Sequence, residues 1–502
     1  MSQNQQPVRA MLSSAWGTLR GDRAMLDAAA FVEEGALPAF FPVTDLASAT
    51  MAAAGLAISE LRSHATSTVP ASVTVDRRLA SMWFHWSQRP IGWMPPAPWD
   101  PIAGDYLASD GWIRLHTNAP HHRKAAERIL GEHQDKVGMA KAVGPWKKAE
   151  LEQAIVEAGG CAAEMRSLNS WAEHPQGIAV ASEPLLHWQQ TQDETRRGQS
   201  NYSDPLRGTM QQAVSRSPWR PDVTRPLHGL RVLDLTRVLA GPAATRFLAA
   251  YGADVLRIDP PTWDEPGLVT DLTLGKRCAR LDLHKQDDRA TFEKLLSTTD
   301  ILVHGYRPDA LERLGFGVEA RRRLAPGLID VCLDAYGWTG PWAGRRGFDS
   351  LVQMSTGIAD AGLQAPGSAL APAGVRVITL TPNPQAPGTD KPKPLPVQAL
   401  DHGTGYLMAA AVVRGITERL KTGRGMQARL SLARTAKFLL DHATPNDTTA
   451  LAAETPADLD PWAEHTTWGE ARRVRWPVAM DGCEAKWNYA ASPLGSSLAK
   501  WV

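Results

Sequence analysis

The sequence predicts an α/β protein: a doubly wound parallel sheet, a smaller α+β domain, and a degenerate fused half-copy at the N-terminus. Three observations carry this. From Leu230 onward, short apolar strands alternate with helical stretches, the pattern of a parallel sheet covered on both faces. Between Gly104 and Pro175 a hairpin, a helix with Leu151 and Ile155 on one face, and a short strand and helix form a separate block. Finally, an Asp-entered alanine helix, a short strand and a second helix occur twice, after Asp45 and after Asp401, at nearly one spacing. That recurrence reads as an internal repeat.

In order, Asp45–Leu61 is a small-residue helix, Val73–Val75 a strand and Asp76–Trp83 a helix. Gly104–Leu115 is a hairpin around Ser109-Asp-Gly, and Gly159-Gly160 ends the Ala149–Ala158 helix. Residues 1–195 are thus the half-copy with the small domain, and the polar, Pro-rich stretch 196–227 is a linker. Strands follow at Leu230–Leu235, Asp254–Ile258, Cys278–Leu283, Ile301–Val303 and Leu328–Leu333, with helices at Pro242–Tyr251, Asp287–Leu296 and Pro308–Leu314. The Pro-, Gly- and Ala-rich stretch 364–397 is a loop, a lid or an insertion, and the sequence does not choose. After Asp401 come a helix reaching Leu420, a strand at Arg429–Leu432 and a helix at Ala433–Leu440. Residues 228–445 are the large domain, and 446–502 a tail packed on the surface.

At 502 residues there is room for two or more full cores. Lys+Arg 54 against Asp+Glu 53, net +1, argues against a general nucleic-acid or membrane-surface binder. The four cysteines lack CxxC or metal spacing, and read as reduced thiols of a cytoplasmic protein. No signal-peptide pattern opens the chain, and no apolar run approaches a membrane helix.

Asp401 enters its helix from an apolar segment and is followed by Gly403 and Gly405. A lone aspartate there caps the first turn. The sharper reading is a nucleophilic carboxylate, held ionised by that turn and opened to substrate by the glycines. A dinucleotide site at the first strand, with Asp259 on a ribose, lacks its glycine fingerprint: Thr236-Arg-Val-Leu-Ala-Gly241 has one glycine. There is no Walker loop, HExxH or Gly-x-Ser-x-Gly elbow, and no metal is called for.

Five ordered motifs carry a family resemblance. They are Leu230–Pro242, Gly252–Pro261, Gly275–Leu283, Asp300–Gly315 and Gly337–Asp349. Over roughly residues 228–440 they closely resemble the class III CoA-transferases, a group that includes formyl-CoA and carnitine CoA-transferases and α-methylacyl-CoA racemases. The stretches Glu150–Pro184 and Asp45–Trp83 resemble the same family more weakly and out of order, as a truncated copy fused ahead of the main one. The resemblance implies Asp401 as nucleophile on an acyl-CoA thioester. An aspartyl anhydride and an aspartyl-CoA thioester follow, and CoA passes to a carboxylic acid acceptor. Gly403 and Gly405 would supply oxyanion donors from their N–H groups. Arg257, Leu281, His284, Tyr306, Arg313 and Arg346 would hold CoA, although each arginine alone reads as a solvated charge.

No cofactor is held tightly, CoA itself being substrate; a homodimer is implied, the front copy supplying part of the partner surface. Asp45, at the matching position, is expected to be a structural cap, and His402 a helix-surface histidine. The racemase branch carries Gly-His-Asp where this chain reads Gly347-Phe348-Asp349, and phenylalanine moves no proton. Transfer is therefore favoured over racemisation, and a CoA-binding protein without turnover is the third alternative.

Overall fold

A computed structural model describes residues 5–66, 69–191, 219–307, 309–364, 391–443 and 449–502. Most of the predicted linker and of the 364–397 stretch lies outside the described residues. The N-terminal part contributes β1 (Ala29–Val32), α1 (Val43–Thr66), β2 (Val73–Asp76), α2 (Arg77–Trp83) and β3 (Gln88–Pro90). A small antiparallel sheet follows, with β5 (Gly111–Leu115) between β4 (Gly104–Ala108) and β6 (Ala162–Glu164).

The large sheet has seven strands. They are β7 (His187–Gln190), β8 (Arg231–Leu235), β9 (Asp254–Asp259), β10 (Lys276–Arg280), β11 (Ile301–His304), β12 (Ile329–Asp334) and β13 (Met426–Ser431). Their spatial order is β10-β9-β8-β11-β12-β13-β7. All neighbours are parallel except β13 and β7, so an N-terminal strand closes one edge. Side chains alternate between two apolar layers: Val232 and Val303 face one, Leu233 and Leu302 the other. Strand order reverses at β8, and the crevice beyond the carboxyl ends of β8 and β11 is where such sheets bind ligands. Strand β10 runs Lys276–Arg280, where Cys278–Leu283 was expected. Lys276 and Arg277 look too polar for a buried strand, yet they pair with Asp234 (2.9 Å) and Asp254 (2.8 Å).

The remaining elements used below are α3 (Ala240–Ala250), α4 (Asp349–Ser355), α5 (Ala399–Thr422), α6 (Leu432–Asp441), β14 (Glu464–Thr466), β15 (Gly469–Arg473) and β16 (Val478–Met480). Helices α1 and α5 are both 24 residues long, with Asp45 and Asp401 third in each. They pack side by side and parallel: Gly403 sits against Leu46 at one end, and Arg414 pairs with Glu60 at 2.5 Å toward the other. Alanine-rich faces allow this close approach.

The C-terminal stretch is not a surface tail, which corrects the sequence reading. Strand β15 pairs with β3 and β16 with β2, and Trp476 and Trp487 pack on the buried Trp83 ring at 4.7 and 5.6 Å. These strands span three to five residues and pair with segments far upstream, so no local periodicity announces them. Among the described residues, no helix is long and apolar enough to cross a membrane.

Candidate active site

Three helix N-termini converge at Asp401. It is third in α5, Asp349 opens α4, and Ala240 opens α3. Asp349 is fully buried and accepts from the Asp401 N–H (2.9 Å), the Leu400 N–H and the Gln353 side-chain amide. The Asp401 carboxylate accepts from the Ala240 N–H. The starts of α5 and α3 thus donate unsatisfied N–H groups to a carboxylate, and the start of α4 supplies one of the carboxylates.

The expectation that Asp401 is held ionised is corrected. Burial raises its pKa well above the ordinary carboxylate range, Asp349 adds to the rise, and the single Ala240 N–H only partly opposes it. Burial likewise raises Asp349, to about 6, against the pull of its three donors. Two carboxylates this close, in a dry site, resist ionising together.

Gly403 and Gly405 are not free oxyanion donors. Both lie inside α5, where N–H groups bond back one turn along the helix. Their role is closeness. A Cβ on Gly405 would sit 2.4 Å from the Ala240 carbonyl oxygen, so only glycine lets α3 bring its first N–H onto Asp401. Gly405→Ala is therefore expected to cost about 1–3 kcal/mol of stability by overpacking. It should also slow any chemistry at Asp401, as thermal melts and turnover together would show. His402 is buried, not on the helix surface. Its ring stacks on Phe84 at 5.3 Å, and burial lowers its pKa to about 3. Asp45 is neutralised by Arg77 at 2.8 Å, an ion pair where a cap was expected.

A cavity of about 80 Å³ opens beside Asp401. Its walls include Phe84, Trp86, Trp99, Phe348, Val238, Leu239 and three histidines, His85, His116 and His402. Val238 has φ +65°, a left-handed conformation costly for a β-branched residue, and its N–H is held by Glu265 at 3.0 Å. This strained turn has the cavity on one side and Arg237 on the other.

Arg237 lies in the crevice at the strand-order reversal. Its guanidinium stacks 4.5 Å from the Trp263 ring centroid and 5.5 Å from that of Tyr306. Other basic side chains lie close to it, His121 among them as a neutral imidazole. His121 is pushed down by burial, then by Arg346 and Arg237, and Arg307 by burial, then by Arg346. Sequence reading missed Arg237, Arg307 and His121. The available signal was the place of Arg237, directly after the first strand of a doubly wound sheet.

Of the six residues expected to hold CoA, Tyr306 and Arg346 are brought into this cluster. Arg313 stands nearby but exposed and paired with Asp309. Arg257 is a correction: it is fully buried, with Asp259 at 2.8 Å and Glu265 at 2.5 Å, so its charge is spent inside the sheet. Leu281 is buried among apolar side chains and offers no open face. His284 is exposed on a turn, its N–H on Asp282. The cationic cluster with its open aromatic rings fits a phosphate-bearing nucleotide. Among the described residues, no group of three or more His, Cys, Asp or Glu is gathered as a metal site.

A family model described as CoA-transferase family III matches residues 227–463. An acetyl-coenzyme A transferase of Hypoxylon pulicicidum is 31% identical over 252 residues, covering 47% of this chain and 39% of the relative. The succinyl-CoA:glutarate CoA-transferase of Homo sapiens is 29% identical over 235 residues, covering 44% and 48%. A solved Mycobacterium tuberculosis structure aligns at 28% identity with a TM-score of 0.36, over 43% of this chain and 57% of that one. The chain spans about half the length of the curated relatives it matches.

Proposed function

We propose that this protein, whose residues 227–463 match the model of CoA-transferase family III, moves CoA from an acyl-CoA thioester to a carboxylic acid acceptor, with Asp401 as the nucleophile. The observation that carries the reading is a buried carboxylate at a helix start, opening on a cavity, with a cationic, aromatic crevice nearby. A carboxylate oxygen of Asp401 attacks the thioester carbonyl carbon. The C–S bond breaks, CoA leaves as thiolate with the electron pair, and a mixed anhydride remains. The thiolate attacks the aspartyl carbonyl, which releases the first acid and leaves an aspartyl-CoA thioester. The acceptor carboxylate repeats the sequence in reverse, so CoA departs on the acceptor and Asp401 is regenerated. Arg237, Arg307 and Arg346 would hold the CoA phosphates, and Trp263 or Tyr306 would lie against its adenine. Relatives named for acetyl-CoA and succinyl-CoA transfer support this class of reaction.

The test is incubation of the full chain with an acyl-CoA panel, trapping with hydroxylamine, and intact mass spectrometry. A trappable adduct at Asp401 and CoA exchange into a free acid are expected; the absence of both across the panel sinks the reading.

Asp349 should set the pH at which the nucleophile works. Adduct formation is expected to rise with pH along a limb lying above the ordinary carboxylate range. Asp349→Asn removes the neighbouring negative charge and should move that limb's midpoint down by at least about one pH unit. A limb that stays put would show that Asp349 does not tune Asp401.

A second reading has one observation behind it. His116 stacks face to face on Phe348, ring centroids 3.7 Å apart, in the same cavity as Asp401. An imidazole there supplies a proton carrier that position 348 lacks. α-Deuterium incorporation from heavy water without CoA exchange would favour racemisation.

A further inference from the structure

Acyl transfer calls for a hydrogen-bond donor to the carbonyl oxygen that turns negative when the nucleophile attacks. The N–H groups that open α5 are already engaged. That of Ala399 bonds to the Val397 carbonyl at 2.8 Å, those of Leu400 and Asp401 to Asp349, and that of His402 to the Gln398 carbonyl at 3.2 Å. The Ala240 N–H goes to Asp401 itself, and the Val238 N–H to Glu265. Gln398 is different. It lines the cavity together with Asp401 and stands at the N-cap of α5, yet its side chain makes no capping bond. The residue is half-buried, and its carboxamide is neither covered nor paired among the described residues.

We propose that the Gln398 side-chain amide donates to the carbonyl oxygen of the bound thioester, through a bond that strengthens as that oxygen turns negative, so that Gln398 is a catalytic residue. This rests on the proposed CoA transfer and deepens it. Gln398 precedes Asp401 by three residues, the spacing that puts two side chains on one helix face. Helical side chains lean toward the N-terminus, so the Asp401 carboxylate tilts back over the turn that Gln398 begins. A carbonyl carbon about 3 Å from the attacking oxygen then has its own oxygen within the span of that side chain. An amide suits the task because it donates without titrating, and it adds no charge to a site that already holds two carboxylates. Asn118, the other side-chain amide on the cavity wall, is engaged in holding a loop. Its oxygen accepts from the Asp100 N–H at 3.0 Å and its nitrogen donates to the Pro98 carbonyl at 2.8 Å. The Trp86 and Trp99 indoles also line the cavity, but they belong to another part of the chain, whereas Gln398 stands one turn from the nucleophile.

The deciding experiment compares the full wild-type chain with Gln398→Met, which keeps the length of the side chain and removes its N–H groups. The rate of trappable adduct formation is measured with acetyl-CoA and with succinyl-CoA. Affinity for each is measured with and without the substitution on the Asp401→Asn background, where no covalent step interferes. The adduct should form ~100-fold more slowly, while affinity changes by less than about threefold. Gln398→Ala should lose as much, and it replaces the methionine variant if that one folds poorly. A rate within about threefold of wild type overturns the inference. A loss of affinity as large as the loss of rate does so too, since it marks binding that is no stronger in the transition state. A larger loss of rate in Trp86→Phe or Trp99→Phe would assign the donor to an indole instead. Each of these outcomes leaves the transfer reading standing. If the wild type forms no adduct and exchanges no CoA, that reading falls and the inference falls with it.

Discussion

Asp401→Asn is expected to lower CoA exchange by at least ~10,000-fold and to abolish the trappable adduct. The same substitution should leave the protein more stable than the wild type at pH 8. Both follow from one environment. The Asp401 carboxyl is buried, next to Asp349, and its pKa is raised. A carboxyl raised on folding contributes stability that is fully present below its unfolded pKa of about 3.9 and is lost as pH rises through the folded value. Asparagine mimics the protonated form at every pH and so escapes that loss. Melting curves of the two proteins should nearly coincide near pH 4 and separate at pH 8, with the dead variant melting higher. A variant that is inactive but less stable at pH 8 would mean that Asp401 is ionised in the resting protein. Stability given up at a reacting group is a common cost of function.

Asp271→Asn should do the opposite and destabilise the fold by about 3–5 kcal/mol at neutral pH. Asp271 is fully buried between two guanidiniums: Arg246 on α3 at 2.8 Å, and Arg473 on β15, which touches the other carboxylate oxygen. Ser87 donates to it as well. Burial alone would push this carboxyl up. Arg246, Arg473 and Ser87 together outweigh that and hold it well below the usual carboxylate range. The stability it contributes is present above the unfolded pKa of about 3.9 and fades as pH falls toward the folded value. The deficit of Asp271→Asn should therefore be full at pH 6–8 and shrink below about pH 4, where the unfolded wild type takes up a proton that the folded carboxylate does not. Denaturant titrations at about pH 2.5 and pH 7 read this directly. Equal deficits at both would mean that packing, not charge, explains the loss.

Regular local signals were legible in the sequence. The apolar strands from Leu230 onward, the hairpin at Gly104–Leu115 and the helix at Asp401 were expected, because periodicity and turn residues act within a few positions. What escaped depends on distant partners. Asp401 could be singled out, yet its raised pKa comes from burial by distant elements and then from Asp349, 52 residues away in sequence. Arg257 looked like an available cation after a strand, but period-two alternation points it into the sheet beside Asp259 and Glu265. His402 looked like a surface residue because the ring covering it, Phe84, belongs to the other end of the chain. Gly403 and Gly405 were recognised as places of close approach, but what approaches is the chain itself.

The closure of the N-terminal sheets by the last strands has a consequence for how the molecule is made. The Arg78 guanidinium binds Asp458 across 380 residues, and the Trp83 indole reaches the Val474 carbonyl across 391. At a synthesis rate of about 5–20 residues per second, β2 and β3 leave the ribosome on the order of 20–80 s before the strands that complete them. For that interval their edges and the Trp83 ring have no native cover. Such long-range pairings also slow folding, so the nascent front third is the portion of the molecule most in need of a chaperone's protection.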